Sequence, residues 1–257
     1  MKFPFKNKNT GFCLGLSCLA LAGLIALKET GAYVVYYGET VRSLPIYCVE
    51  REDKKIAISF DCAWGTEHTD AILSALKEHS VTATFFMVEF WAKKYPEYVK
   101  KIDESGCEIG THSATHSYMS KMNEAEIKKE LESSSQAIEA VTGKKVELFR
   151  PPYGDYDDLV VETASAMGLY TIQWSVDSLD WKDLSATDIA MRILSSVEPG
   201  SIILCHNNGL HTAEALPIVL DTLQNRGYEF VNIGSLIYRD GNKIDGTGKQ
   251  LKMEEVV

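Results

Sequence analysis

Residues 54–65 read KKIAISFDCAWG. The alternating segment KKIAI predicts a strand that ends in SFD, and Gly65 marks the loop into which it opens. At its carboxyl end an acid and a thiol, Asp61 and Cys62, stand side by side. An aspartate there serves as a base, a metal ligand or a helix cap, and a cysteine as a soft ligand, a nucleophile or a small buried hydrophobe. The stretch by itself decides none of these.

Outward from it, strand and helix alternate. TDAILSALKEHS (69–80) carries an apolar helix face at Ile72, Leu73 and Leu76, and VTATFFMV (81–88) is β-branched and aromatic. A helix ends at VKKIDESG with Gly106 as its stop, and CEIGTHS (107–113) is a short strand. Asn123 and Glu126 form a capping pair for a long helix closed by Gly143. VELFR, LYTIQWSVD, GSIILCH and YEFVNI continue the series, with Ser185 and Asp188 capping the helix before the third of these. Such alternation implies a parallel sheet with right-handed crossovers, and about seven units predict a closed or nearly closed barrel.

The N-terminus has a different character. Lys2, Lys6 and Lys8 precede residues 10–27, TGFCLGLSCLALAGLIAL, which contain no charge. The expected organisation is a cytoplasmic basic flank (1–9), a transmembrane anchor or signal peptide (10–27) and a linker or edge hairpin (28–53). One main domain (54–237) and a loosely ordered tail (238–257) follow. The basic flank puts the later residues on the extracytoplasmic side, as a single-anchor protein or a secreted one if the run is cleaved. Net charge is −10, and −13 without those three lysines, which argues against a nucleic-acid partner. Cys48, Cys62, Cys107 and Cys205 are scattered through a chain large enough to need no staples, so free thiols are expected.

Polar residues gather at one recurrent place, the carboxyl ends of the strands, where parallel barrels build their sites. Asp61 and Cys62, then His112 and His116, then Arg150 to Gly154, then Asp177, Asp180 and Trp181, and last His206 each follow a different strand. In this order the blocks resemble the polysaccharide deacetylase family of carbohydrate esterases over residues 54 to 237. FDCAWG, RPPYGDY, DSLDW and CHNN further resemble its sporulation-associated bacterial branch. The resemblance implies the NodB-homology fold, a deformed TIM-like (β/α)7 barrel, here preceded by the N-terminal transmembrane or signal segment.

It also implies roles. Asp61 matches the general base, and Cys62 stands where the family has a metal-ligating aspartate. His112 and His116 match the two metal-binding histidines, four residues apart as on one face of a helical turn. Arg150 matches the partner of the base, the Tyr153 N–H an oxyanion donor, and Asp180 the acid that orients His206, the general acid. Trp181 and Pro152 match the substrate groove. The implied reaction is metal-dependent removal of an N-acetyl group from an N-acetylglucosamine-containing glycan, peptidoglycan ahead of chitin-like oligomers, with release of acetate.

A thiolate keeps the single negative charge of the aspartate it replaces, so the expected metal is zinc on Cys62, His112 and His116. Two alternatives stay open: the histidines hold the ion with water alone, or the site is impaired and the protein is a silent glycan-binding component of the wall or spore envelope. A nucleophilic Cys62 forming an acetyl-enzyme is a further alternative. Oligomeric state and the exact glycan are not encoded legibly.

Overall fold

The computed structural model describes residues 42–253. The basic flank, the uncharged run 10–27 and the linker through residue 41 lie outside the described residues. Among the described residues no helix is long and apolar enough to cross a membrane.

Among the described residues eleven strands appear in chain order: β1 (Cys48–Val49), β2 (Lys55–Cys62), β3 (Thr84–Met87), β4 (Glu108–Thr111), β5 (Leu148–Phe149), β6 (Tyr170–Thr171), β7 (Val176–Asp177), β8 (Ile202–His206), β9 (Glu229–Phe230), β10 (Asn242–Ile244) and β11 (Lys249–Lys252). The main sheet runs β6-β5-β4-β3-β2-β8-β7 with every pairing parallel, and β9 pairs with the start of β2. Its two ends, β6 and β7, are successive pieces of one stretch, Tyr170–Asp177, so the sheet curls back toward itself. Ile46 lies beside that break: its N–H donates to Thr171 O at 2.9 Å and its carbonyl accepts from Gln173 N at 2.8 Å. The expected single strand LYTIQWSVD is thus two short ones, and the barrel is deformed where the chain changes partners.

Every residue of β2 after Lys55 is buried, so the strand read as alternating is covered on both faces, Ser59 and Asp61 included. Its side chains nevertheless divide by parity. Ile56, Ile58, Phe60 and Cys62 join the layer between sheet and helices, with Ile72, Leu76, Leu216 and Leu220. Ala57 faces the interior with Phe86, Leu148, Ile172 and Ile202, closed below by Ile46 and Ile233. Each such large apolar side chain contributes roughly 1.5–3 kcal/mol on burial.

The helices follow their sequence signals closely. Asn123 accepts from Glu126 N at 3.1 Å and Glu126 returns a bond to Asn123 N at 2.9 Å, opening the helix Glu124–Thr142, which Gly143 ends at φ 67°. Ser185 accepts from Asp188 N and caps Ala186–Ser196. The helix expected before Gly106 is two, Glu89–Lys94 and Pro96–Glu104, because Pro96 cannot continue the first and suits the first turn of the second.

The tail differs from expectation. β10 and β11 form an antiparallel pair and β11 pairs with β1. Gln250, 1% exposed, holds the segment by accepting from Tyr238 N at 2.8 Å and donating to Tyr238 O at 2.9 Å. The glycines of the tail mark turns: Gly248 sits at φ 83°, a conformation open to glycine at little cost.

Candidate active site

Register builds the centre. Asp61 on β2 is the direct parallel partner of His206 on β8 and of Phe86 on β3, so base and acid candidates arrive at the same level of the sheet. Arg150, wholly buried, follows β5 and donates from Nη1 to Asp61 Oδ1 at 2.8 Å and from Nη2 to Gln173 O at 3.2 Å. Its guanidinium lies 4.2 Å from the Phe86 ring centroid, which fixes its plane. Burial pushes the Asp61 carboxyl up, but the charge of Arg150, with His112 and His206, outweighs it and holds the group below the ordinary aspartate value.

His206 is held as firmly. Its Nδ1–H donates to Asp180 Oδ1 at 2.7 Å, and its backbone N–H donates to Asp180 Oδ2 at 2.7 Å. Thr212 Oγ1 donates to the same Oδ2 at 2.6 Å, so the buried carboxylate is fully partnered. Burial lowers the imidazole's affinity for a proton, yet its bond to Asp180 and the charge of that carboxylate carry it above the ordinary histidine value. Gly209 is required here, since a Cβ would stand 2.1 Å from Thr212 Oγ1.

His112 and His116 meet through a loop and not through the expected helical turn. Ser113 at φ 68° and His116 at φ 56° are left-handed, and the Glu130 carboxylate, from the helix Glu124–Thr142, accepts from Ala114 N at 2.9 Å and Thr115 N at 2.8 Å. The ring centroids stand 5.0 Å apart. His112 Nδ1 lies 2.7 Å from the Arg150 carbonyl, which can only accept, so the proton sits there and Nε2 faces Asp61 Oδ2 at 3.5 Å. Burial lowers the pKa of both rings, His116 to about 4, leaving two neutral imidazoles at pH 7. His116 Nδ1 is buried with no partner among the described residues.

Cys62 does not join them. It is fully buried in the helix-facing layer, still paired in the ladder opposite Met87, with its sulfur 3.9 Å from Phe60 O. Burial, with Asp61 beside it, raises its thiol well above the usual range, against the thiolate that a metal requires. Among the described residues no group of three His, Cys, Asp or Glu is placed to hold a metal ion. The expected Cys62-His112-His116 triad is therefore corrected to a pair of imidazoles. A catalytic zinc takes three protein ligands, and the residues present fall one short of that set.

Tyr153 is left-handed at φ 59° and half exposed; its N–H donates to no acceptor among the described residues. Its ring stacks on Tyr118 at 4.5 Å and meets His116 at 4.6 Å. Trp181 is exposed, as a groove wall requires, whereas Pro152 is buried and supports the turn by accepting from Asp155 N at 2.9 Å. Pro152 is thereby corrected from groove to scaffold. Three supporting residues escaped the sequence reading: Gln173, Thr212 and Glu130. Only Thr212 gave a signal, as a hydroxyl at a helix start just after the His206 block. Cys205 packs in the core as its alternation with His206 predicts, and all four described cysteines are free.

This arrangement, a curled parallel sheet with aspartate, arginine and buttressed histidine at its carboxyl edge, defines a NodB-homology deacetylase domain. The chain belongs to the polysaccharide deacetylase family: a model of that family matches residues 49–172. It is 34% identical over 186 residues to a peptidoglycan-N-acetylglucosamine deacetylase of Bacillus cereus, covering 71% of this chain and 68% of that one. It is 32% identical to the uncharacterized protein YlxY of Bacillus subtilis over 77% of this chain, spanning 62% of YlxY's length. Among solved structures, a CE4 family pseudoenzyme from Bacillus anthracis superposes with TM-score 0.73 at 36% identity, covering 75% of this chain and 68% of that one. A mutant of that protein with restored enzymatic activity is similar at 38% identity, with the same TM-score and with 75% and 70% covered.

Proposed function

We propose that the protein hydrolyses N-acetyl groups on N-acetylglucosamine-type residues of peptidoglycan, releasing acetate and leaving a free amine. The observation that carries this is the register pair of Asp61 and His206 on neighbouring strands, the first bonded to Arg150 and held below the ordinary aspartate pKa, the second bonded to Asp180 and held above the ordinary histidine value. An ionised carboxylate and a protonated imidazole facing one cleft are what amide hydrolysis needs.

In this reading Asp61 takes the proton of the attacking water, while Arg150 keeps the carboxylate charged and aimed. The Tyr153 N–H donates to the oxyanion that forms. His206, oriented by Asp180, gives its proton to the departing nitrogen. Trp181 bounds the groove. His112 and His116 would hold a divalent cation, zinc first, less firmly than a full set of three protein ligands, and the ion would supply polarisation of the acetyl oxygen. The uncharged run 10–27 behind three lysines supports an extracytoplasmic location, anchored or secreted, where the wall glycan lies.

The displaced Cys62 and the likeness to a pseudoenzyme favour a second reading, a glycan-binding wall or spore-envelope protein without turnover. Acetate release from peptidoglycan and from N-acetylglucosamine oligomers, at saturating zinc, separates the two. Release supports hydrolysis; saturable binding with no release from either glycan establishes the second reading.

A further inference from the structure

Beside the histidine pair lies an aromatic shelf that none of the steps above uses. Trp64 is 51% exposed and Phe90 42% exposed, with ring centroids 5.3 Å apart. Adjacent exposed apolar rings bordering a polar centre are the kind of patch that marks a ligand-binding groove. With Gly65, Lys94 and Tyr95 they line a concavity of about 340 Å³, large enough for one sugar ring.

Three features give the shelf an occupant. It is continuous with the site, because the Trp64 ring also stands 5.2 Å from the ring of His116. It is built in advance: Gly65 O accepts from Trp91 Nε1 at 2.7 Å and from Asn207 Nδ2 at 2.9 Å, and both donors are buried, so the loop carrying Trp64 is pinned. It also holds a spare cation. Lys93 pairs with Glu89, whereas Lys94 has no carboxylate within 4.0 Å among the described residues and lies 5.0 Å from the Tyr95 ring centroid.

We propose that Trp64, Phe90 and Lys94 form a subsite for the neighbouring sugar of the same glycan, a pyranose that bears a carboxylate. The ring's C–H face stacks on Trp64 and Phe90, and the carboxylate meets Lys94. This rests on the deacetylase reading for what occupies the centre, and it adds a preference: an alternating glycan with a lactyl acid on every second sugar binds better than a neutral chitin oligomer.

Calorimetric titration of the full chain with two tetrasaccharides tests this: one alternates N-acetylglucosamine with N-acetylmuramic acid, the other is N-acetylchitotetraose. Trp64→Ala is expected to weaken both about 10-fold, the ratio that ~1.4 kcal/mol sets, and Trp64→Phe to restore most of the loss. Lys94→Gln is expected to weaken only the acidic glycan, about 5-fold, and to abolish the preference between the two. Wild-type affinity in Trp64→Ala for both ligands overturns the subsite. An equal effect of Lys94→Gln on both glycans, or none on either, overturns the carboxylate assignment. Binding without acetate release sinks the deacetylase reading and leaves the subsite standing, so the two failures are distinguishable.

Discussion

Asp61 and Cys62 are adjacent on one strand and serve opposite faces of it: the carboxylate meets Arg150 at 2.8 Å inside the curl, and the thiol packs among helix-facing apolar side chains. The ladder bond pattern opposite Met87 keeps residue 62 in strand conformation, so its side chain cannot turn inward while that pairing lasts. Cys62→Ala is therefore expected to leave metal uptake unchanged and to cost about 1 kcal/mol of stability, as small core truncations do. Metal content by mass spectrometry and urea denaturation check both. Cys62→Asp places a carboxylate where no partner waits, costing a few kcal/mol in the metal-free protein. Relief comes only if the strand end opens toward the histidines, so added zinc is expected to raise its melting temperature more than that of the wild type.

The Arg150–Asp61 pair is buried on both sides, and removing one partner strands the other charge. Arg150→Met is expected to destabilise the fold by about 3–5 kcal/mol and to abolish acetate release. The folded pKa of Asp61 is held below its unfolded value, so the pair's contribution is present above the unfolded pKa of about 3.9. It is lost as pH falls through the lower, folded value. Urea midpoints measured downward from pH 5 in the wild type, and their flatter course in the variant, read this directly.

Much of this centre was legible because a parallel sheet fixes where its site is: Asp61 and His206 lie in the last residues of their strands, and His112, Arg150 and Asp180 follow strand ends. Their roles came from the family resemblance and not from spacing. What stayed hidden has a common physical cause, namely the conformation of the residue just after an apolar run. Sequence does not say whether Cys62 is the last ladder residue or the first loop residue, and that single step of pleat selects core or cleft. Four-residue spacing read His112 and His116 as a helical turn, where two left-handed residues bring them together. The tail read as loose because its polar content hid the burial of Gln250.

Asp180 raises the His206 pKa through a direct bond and its charge, so the proposed general acid stays protonated to higher pH than a free imidazole. Activity that requires the protonated ring is retained below that raised pKa and lost as pH rises through it. In Asp180→Asn the bond partner is neutral, and the basic limb of the kcat profile is expected to move to lower pH, with kcat at neutral pH falling 10²-fold or more, the usual weight of a general acid. A pH–rate profile that keeps its basic limb in the variant assigns that limb to another group.

Glu130 touches no candidate reacting atom, yet it gathers the loop that carries His116. Its carboxylate accepts from two successive backbone N–H groups and, at 3.0 Å, from Thr115 Oγ1. Those bonds fix the turn in which His116 takes φ 56° and swings its ring to 5.0 Å from His112. Glu130→Ala removes the tie but leaves the helix it belongs to, and the site is partly exposed, so the loss of stability is expected to be only about 1 kcal/mol. The larger effect falls on the imidazole pair, whose second ring becomes free to leave. Zinc affinity measured by competition with a chelator is expected to drop about 10-fold or more, the scale set by residues that orient metal ligands. Glu130→Gln retains one acceptor oxygen and is expected to recover part of it. Unchanged zinc affinity in Glu130→Ala, with the small stability loss present, shows that the ion does not depend on His116.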